Sequence, residues 1–501
     1  MFNLLSWIVC LPACFGVLVF LLPRAWAKHA WNLGLAFSLV TFALMCKAWV
    51  MFDPELKGLQ LQVDQPWFSE VGSRFHLGFD GISLVMGFLV SIVTLLIFMG
   101  ARSFTCMPEA KEKTFVGLLL LLQTGALGAF AAADLLIFFM FWEFVLIPSY
   151  FLIGMFGGKD RIRAAVRFFI YTALGSLFML FAFAWLIGEH GRQFGFLSAG
   201  FSDVAQVKLT FANSSLMAAV GSQQGLVFLA FMLAFLVKSP LIPFHGWLLK
   251  TYQEAPTAAT VFIAAVLGKM GTYGLIRFMG MFREAFQYSH VLFMLLASVG
   301  ILFGAFQALG SKSVKELISW SSLSHVSYIL LGIFSGGEEA TSGAVLQMFN
   351  HGILIAGLFL VAGYLDARRP EGAILDFGGF AKKTPLLAIF FMVIVLGSIG
   401  LPGTNGFVGE FLILAGAFKS HMLLGSLATT GMVFGAIYML SFYQKTMFGK
   451  PSFHGETKDI GASDLLALTL VCWFVFQVGL YPQSFIARIK SSSDVQLVKE
   501  P

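Results

Sequence analysis

Residues 225–248 read "GLVFLAFMLAFLVKSPLIPFHGWL", an apolar run broken in its middle by Lys238 and then by Pro240 and Pro243. The next run, "APTAATVFIAAVLGKMGTYGLI" at 255–276, again carries one central lysine, Lys269. Upstream, "DLLIFFMFWEFVLIPSYFLIGMF" at 134–156 holds a single mid-run carboxylate, Glu143. Each run is long enough to cross a bilayer, for which about 20 residues suffice. A charge at that depth costs roughly 2.5–3.5 kcal/mol on insertion scales, so such residues are rare and functional by default. Three of them, of both signs, indicate that charge moves through this protein.

The composition agrees with a membrane solvent. The 501 residues are 58% hydrophobic and only 12% charged, where soluble domains run about 25% charged. Fourteen apolar blocks can be counted, from 3–22 to 464–482. None shows the polar–apolar alternation of a barrel, so the expected fold is an all-α polytopic membrane protein of about 14 transmembrane helices. It forms a single integral membrane domain over 1–501, with polar insertions at 52–79 and 189–224 too short and plain to be domains.

Counting span-end residues with the adjoining loops, connections after odd-numbered spans hold 19 Lys and Arg, against 10 in the other connections and tails. By the positive-inside rule the first set faces the cytoplasm and both termini lie outside. The net charge of +6 reflects this bias and suggests no nucleic-acid partner. The first block ends in "AWA" and contains "LPAC" at 11–14, but its positive charges, Arg24 and Lys28, follow it. That order favours a retained helix over a cleaved signal. Five scattered cysteines offer no metal or cluster spacing.

Two spans look discontinuous. The seventh breaks at "KSPLIP", and the twelfth at "LGSIGLPGTNGFVGEFLILAGAF" (396–418), where glycines recur every third residue around Pro402. Such backbone survives in lipid only where protein buries it or it lines a wet cavity. Two broken helices five spans apart, each with an ionisable residue (Lys238 and Glu410), predict two inverted five-helix repeats, about 115–278 and 291–447. Helices within 1–100 and 464–482 would flank them.

Further charges continue the series. His325 lies in "SWSSLSHVSYILLGIF" (319–334), His351 in "LQMFNHGILIAGLF" (346–359), and Glu410 beyond the twelfth-span break. Glu143, Lys238, Lys269, His325, His351 and Glu410 thus stand one per span, near mid-depth. A buried Glu–Lys pair has two stable arrangements, paired ions or a lysine free to release its proton. Histidine exchanges protons near neutral pH, and Ser321, Ser322, Ser324 and Tyr328 are placed to order water around His325.

The plainer alternatives are a static Glu143–Lys238 pair and two hydrogen-bonded packing histidines. His245 and Trp247 read as caps of the broken helix, Asp80 and Asp134 as anchors or caps. Glu254 and Pro256 read as the start of the eighth helix, with the carboxylate near its positive dipole end.

These residues carry a family resemblance. The stretch from Lys238 to Arg277 resembles the signature shared by antiporter-like membrane subunits of respiratory complex I and Mrp-type Na⁺/H⁺ antiporters. "GLPGTNGFVGEF" (400–411) is similar to the chain M branch of bacterial NADH–quinone oxidoreductases, and "LGFDGISL" (77–84) points the same way. The resemblance covers nearly the whole chain. It implies fourteen helices in two inverted repeats, and it places the six residues above on a proton path. It also implies no cofactor on this chain, flavin and iron–sulfur clusters in partner subunits, neighbouring antiporter-like chains as partners, and a bacterial inner-membrane location. Where the family usually reads "WLPDAHTEAP", this chain reads "WLLKTYQEAP", with Leu249, Lys250 and Tyr252 in an expected cytoplasmic loop. The expected activity is proton translocation coupled to quinone reduction elsewhere in the complex. The alternatives are a multisubunit Na⁺/H⁺ antiporter with no redox partner and, less favoured by the residues, a quinone-binding subunit.

Overall fold

The computed structural model describes residues 3–369, 374–449 and 458–492. Within them, eleven helices are long and apolar enough to cross a membrane. The longest such stretch, Thr257–Gly310, bends through a short turn at Gly280–Phe282 and so covers two expected blocks, the eighth and ninth. Shorter apolar helices, Gln223–Lys238 and Pro385–Ser398, occupy the expected break regions.

Four helices are almost wholly enclosed by protein: Gly81–Gly100, Glu109–Ala131, Val314–Ser335 and Glu338–Arg368. The last of these packs on Asn405–Ser420, Val314–Ser335, Gly81–Gly100 and Thr257–Phe262, which makes it the axis of the bundle. Around this core, helices such as Arg161–Phe194 turn Leu174, Phe181 and Trp185 outward. An apolar outer surface is what a hydrocarbon solvent requires.

Both expected breaks are present, and they share one hydrogen-bond pattern. Gln223–Lys238 stops at Lys238, and Leu241 N then donates five residues back to the Leu236 carbonyl at 3.1 Å. Pro385–Ser398 stops likewise, with Leu401 N donating to the Leu396 carbonyl at 3.1 Å. Proline in each break supplies no N–H to continue the ladder. In the second break Gly400 (φ +69°) and Gly403 (φ +90°) take left-handed conformations that a Cβ would strain. Trp247 caps the first break, its Nε1 donating to the Val237 carbonyl at 2.8 Å.

Three expectations are corrected. The segment holding Leu249, Lys250 and Tyr252 is a helix, Leu248–Glu254, and not a loop; Tyr252 is buried on it. Glu254 closes that helix and does not open the next one, and its carboxylate accepts from the Asp160 backbone N–H at 2.9 Å. The carboxylate therefore ties the Leu248–Glu254 helix to the segment that opens Arg161–Phe194. The serines and tyrosine near His325 are mostly spoken for: Ser324 donates to the Ile301 carbonyl (2.9 Å) and Tyr328 to that of Ala428 (2.7 Å). Only Ser321 faces the cavity beside the histidines.

The 52–79 insertion contains an antiparallel hairpin, Gln60–Phe68 with Ser73–Phe79. Asp80 follows it directly and caps Gly81–Gly100 in a capping box with Ser83. The same carboxylate, itself buried, forms a two-point ion pair with the partly buried Arg277. Asp134 caps Leu135–Phe144 and accepts from Ser73 Oγ at 2.9 Å.

Candidate functional site

Local backbone irregularities set each titratable side chain. The fifth span is two helices, Leu135–Phe144 and Leu146–Phe156, joined at Val145, so Glu143 sits on the last turn before the joint. Lys238 is the final residue of its helix, beside the break. The eighth span contains a π-helical turn, Ile263–Leu267, immediately ahead of Gly268–Met279. A π-turn widens the ladder and disturbs the usual carbonyl pairing. Here the Ala264 carbonyl accepts from Lys269 Nζ at 2.8 Å, in a fully buried setting.

Glu143 and Lys238 are close enough to interact electrostatically but make no hydrogen bond to each other. The lysine ammonium instead lies over the Trp142 ring, 4.8 Å from its centroid. Among the described residues, neither Lys238 Nζ nor Glu143 Oε1 has a hydrogen-bond partner. The direct ion pair that the sequence suggested is therefore open in this conformation.

The two lysines are joined through their neighbours. Ser239, next to Lys238, donates to the carbonyl of Gly268, next to Lys269, at 3.2 Å. Gly271 lets the two helices approach: a Cβ there would lie 2.2 Å from Ser239 Oγ and 2.6 Å from the Phe235 carbonyl.

Beyond Lys269 the row continues without a gap in chemistry. Lys269 and His351 interact electrostatically. His351 stacks on His325 with ring centroids 5.6 Å apart and planes 28° from parallel. His325 Nδ1 meets Glu410 Oε1 at 2.9 Å, and Gln347 Nε2 donates to the same oxygen at 3.1 Å. Neither nitrogen of His351 has a partner among the described residues, nor does Nε2 of His325. Ser321, His325, Gln347, His351 and Ser398 help line a cavity of about 10 Å³, room for about one water.

Larger cavities flank the row. Ser335, Glu339, Lys419 and Ser420 help line one of about 310 Å³ near the end of the Glu410 helix. Lys312, Tyr438, Ser441 and Lys445 help line another of about 280 Å³. Tyr438 also bonds Ser321, oxygen to oxygen at 2.9 Å.

The six expected residues thus fall into two groups, Glu143 with Lys238 and Lys269 with His351, His325 and Glu410, which the Ser239–Gly268 hydrogen bond joins. In space the histidines exchange their sequence order. Three participants were missed. Gln347 had a signal, standing four residues before His351 and so on the same helix face. Trp142 is adjacent to Glu143 but has no periodic reason to face Lys238. The Ala264 carbonyl had none, because no residue type announces a π-turn.

Residues 132–480 match the family described as "NADH:quinone oxidoreductase/Mrp antiporter, TM". NADH-quinone oxidoreductase subunit M of Rickettsia conorii is 35% identical over 467 residues, covering 92% of this chain and 91% of that protein. A chain of respiratory complex I from Thermus thermophilus with bound NADH superposes with a TM-score of 0.87 at 30% identity, over 99% of both chains. A chain of the Mrp complex from Dietzia sp. superposes at 0.82 and 20% identity, over 97% of this chain and 52% of that one, a likeness of fold.

Proposed function

The chain belongs to the NADH:quinone oxidoreductase/Mrp antiporter family of membrane proteins, and from that premise we propose that it is a proton-translocating subunit of a NADH–quinone oxidoreductase. It carries no redox centre of its own. Energy released by quinone reduction elsewhere in the complex reaches it through neighbouring membrane subunits. Flavin and iron–sulfur clusters reside in other partners. The termini lie on the outer side of a bacterial inner membrane.

The observation that supports this reading is the pair of titratable groups, Glu143 with Lys238 and Lys269 through His351 and His325 to Glu410, linked by the Ser239–Gly268 hydrogen bond. Each member is a group that gains and loses protons, each is half-buried or buried, and several lack fixed partners. A static ion-pair network would satisfy its members, because an unpaired buried charge costs several kcal/mol. Lys269 is the central carrier, with the Glu143–Lys238 pair modulating its entry side. His351 and His325 pass the proton to Glu410, which faces the outer exit. The carriers work by reversible protonation, so their environments must hold both protonation states accessible.

The test is proton uptake by vesicles containing the assembled complex. Glu143→Ala or Lys238→Ala should each cut coupled pumping and quinone reduction about a hundredfold or more, the lower range for losing a positioned acid–base group. Assembly should be intact. Normal pumping in both variants would remove the pair from the mechanism. A Na⁺-dependent pH change without any electron donor would instead identify an antiporter subunit.

A further inference from the structure

Resting on that proton-translocating role, we propose that the indole of Trp142 is a second seat for the Lys238 ammonium, competing with Glu143 for the cation. Trp142 is a positioning residue: it exchanges no proton and acts through Lys238.

The geometry is specific. Lys238 Nζ stands 4.8 Å from the Trp142 ring centroid, and the ring itself is almost fully buried. Two aromatic neighbours fix its plane, Phe235 edge-on at 5.6 Å and Phe138 at 5.4 Å. Phe235 lies one turn before Lys238 on the same helix and is itself held against Gly274, where a Cβ would fall 2.3 Å from its ring. The indole face is thus a rigid, dry platform in front of the lysine. A cation over such a face is attracted by the ring quadrupole, and more strongly when water is excluded.

Glu143 is the next residue in the chain, so the two seats are adjacent. They differ in consequence. Against the carboxylate, the ammonium is neutralised and both ions are held. Over the indole, the charge is supported but not neutralised, and there is no acceptor to keep the proton. The lysine can then give up one N–H proton as Lys269 gains one, the positive charge passing with it. The ring therefore sets how often Lys238 leaves Glu143, and with it the rate of transfer.

Fluorination tests this without altering shape, since each fluorine drains the ring face while the indole keeps its fit. Site-specific replacement of Trp142 by mono-, di- and trifluorotryptophan would be made in the full complex, and pumping measured in proteoliposomes. Turnover should fall stepwise with fluorine number, by up to about tenfold overall if the ring supplies a desolvated cation–π contact. The same series at Trp473, which projects outward from the bundle, should leave turnover flat. A flat response at Trp142, with Glu143→Gln still abolishing pumping, would overturn the second seat and leave the proton-translocating role standing. Unimpaired pumping in Glu143→Gln and Lys238→Ala would overturn both.

Discussion

His351 shows most clearly what the site demands of single residues. It is buried, on the axial helix, and both ring nitrogens lack partners among the described residues. Leaving a buried polar group unsatisfied costs about 1–3 kcal/mol, so an apolar ring should suit the fold at least as well. His351→Phe is therefore expected to match or exceed the parent in thermal stability of the purified complex. Its pumping rate should drop about a hundredfold or more, the contribution of a positioned acid–base group. A loss of stability with normal pumping would mean that His351 is a packing residue. The residue types at this scale were legible from the chain alone, because a charge or imidazole inside a lipid-length apolar run has no cheap structural explanation. Their partners were not. Lys238 was expected against Glu143 and lies over Trp142, a contact between separate helices that no spacing rule encodes.

At the scale of elements, function depends on where helices stop being regular. The breaks after Lys238 and Ser398 were visible as proline and glycine, which cannot continue a helix ladder. The π-turn before Lys269 was invisible, because no proline or other breaker marks it, whereas the joint after Glu143 had a signal in Pro148, which supplies no N–H to the Phe144 carbonyl four residues back. The approach between the Gln223–Lys238 and Gly268–Met279 helices is equally demanding. At Gly271 an added methyl would meet backbone and a buried hydroxyl well inside contact distance. Gly271→Ala should push Ser239 from the Gly268 carbonyl and destabilise the subunit by about 1–3 kcal/mol, the usual cost of overpacking. Thermal unfolding of the complex in detergent would register it, and a parallel fall in pumping would show that the two lysines must keep their spacing. The "WLLKTYQEAP" segment belongs here too. Read as a loop, it is a buried-faced helix, since tertiary contacts to Phe359 and Trp247 give Tyr252 a place to pack.

The whole molecule is organised around one enclosed helix, Glu338–Arg368, which carries His351 and against which the helices bearing Lys269, His325 and Glu410 pack. The Gln60–Phe79 hairpin is part of that order: it leads into Asp80, whose carboxylate grips Arg277 on the helix that also carries Lys269. Breaking a buried ion pair from one side costs about 3–5 kcal/mol because the remaining charge is stranded. Asp80→Ala should accordingly lower the amount of subunit incorporated into the complex on native gels, and Asp80→Glu should recover part of it. Full assembly of Asp80→Ala would show that the hairpin and the Lys269 helix hold together without this link.

By itself the chain determined the solvent, the helical class, the two breaks and the identity of the charges, since each follows from local chemistry: apolar length, missing N–H groups, and the cost of a charge in hydrocarbon. Only the tertiary structure decided which charges are neighbours, that His351 precedes His325 along the row, and that the lysine at the first break faces an aromatic ring. Those outcomes depend on helices distant in sequence settling to ångström separations, a property of packing that no single segment contains.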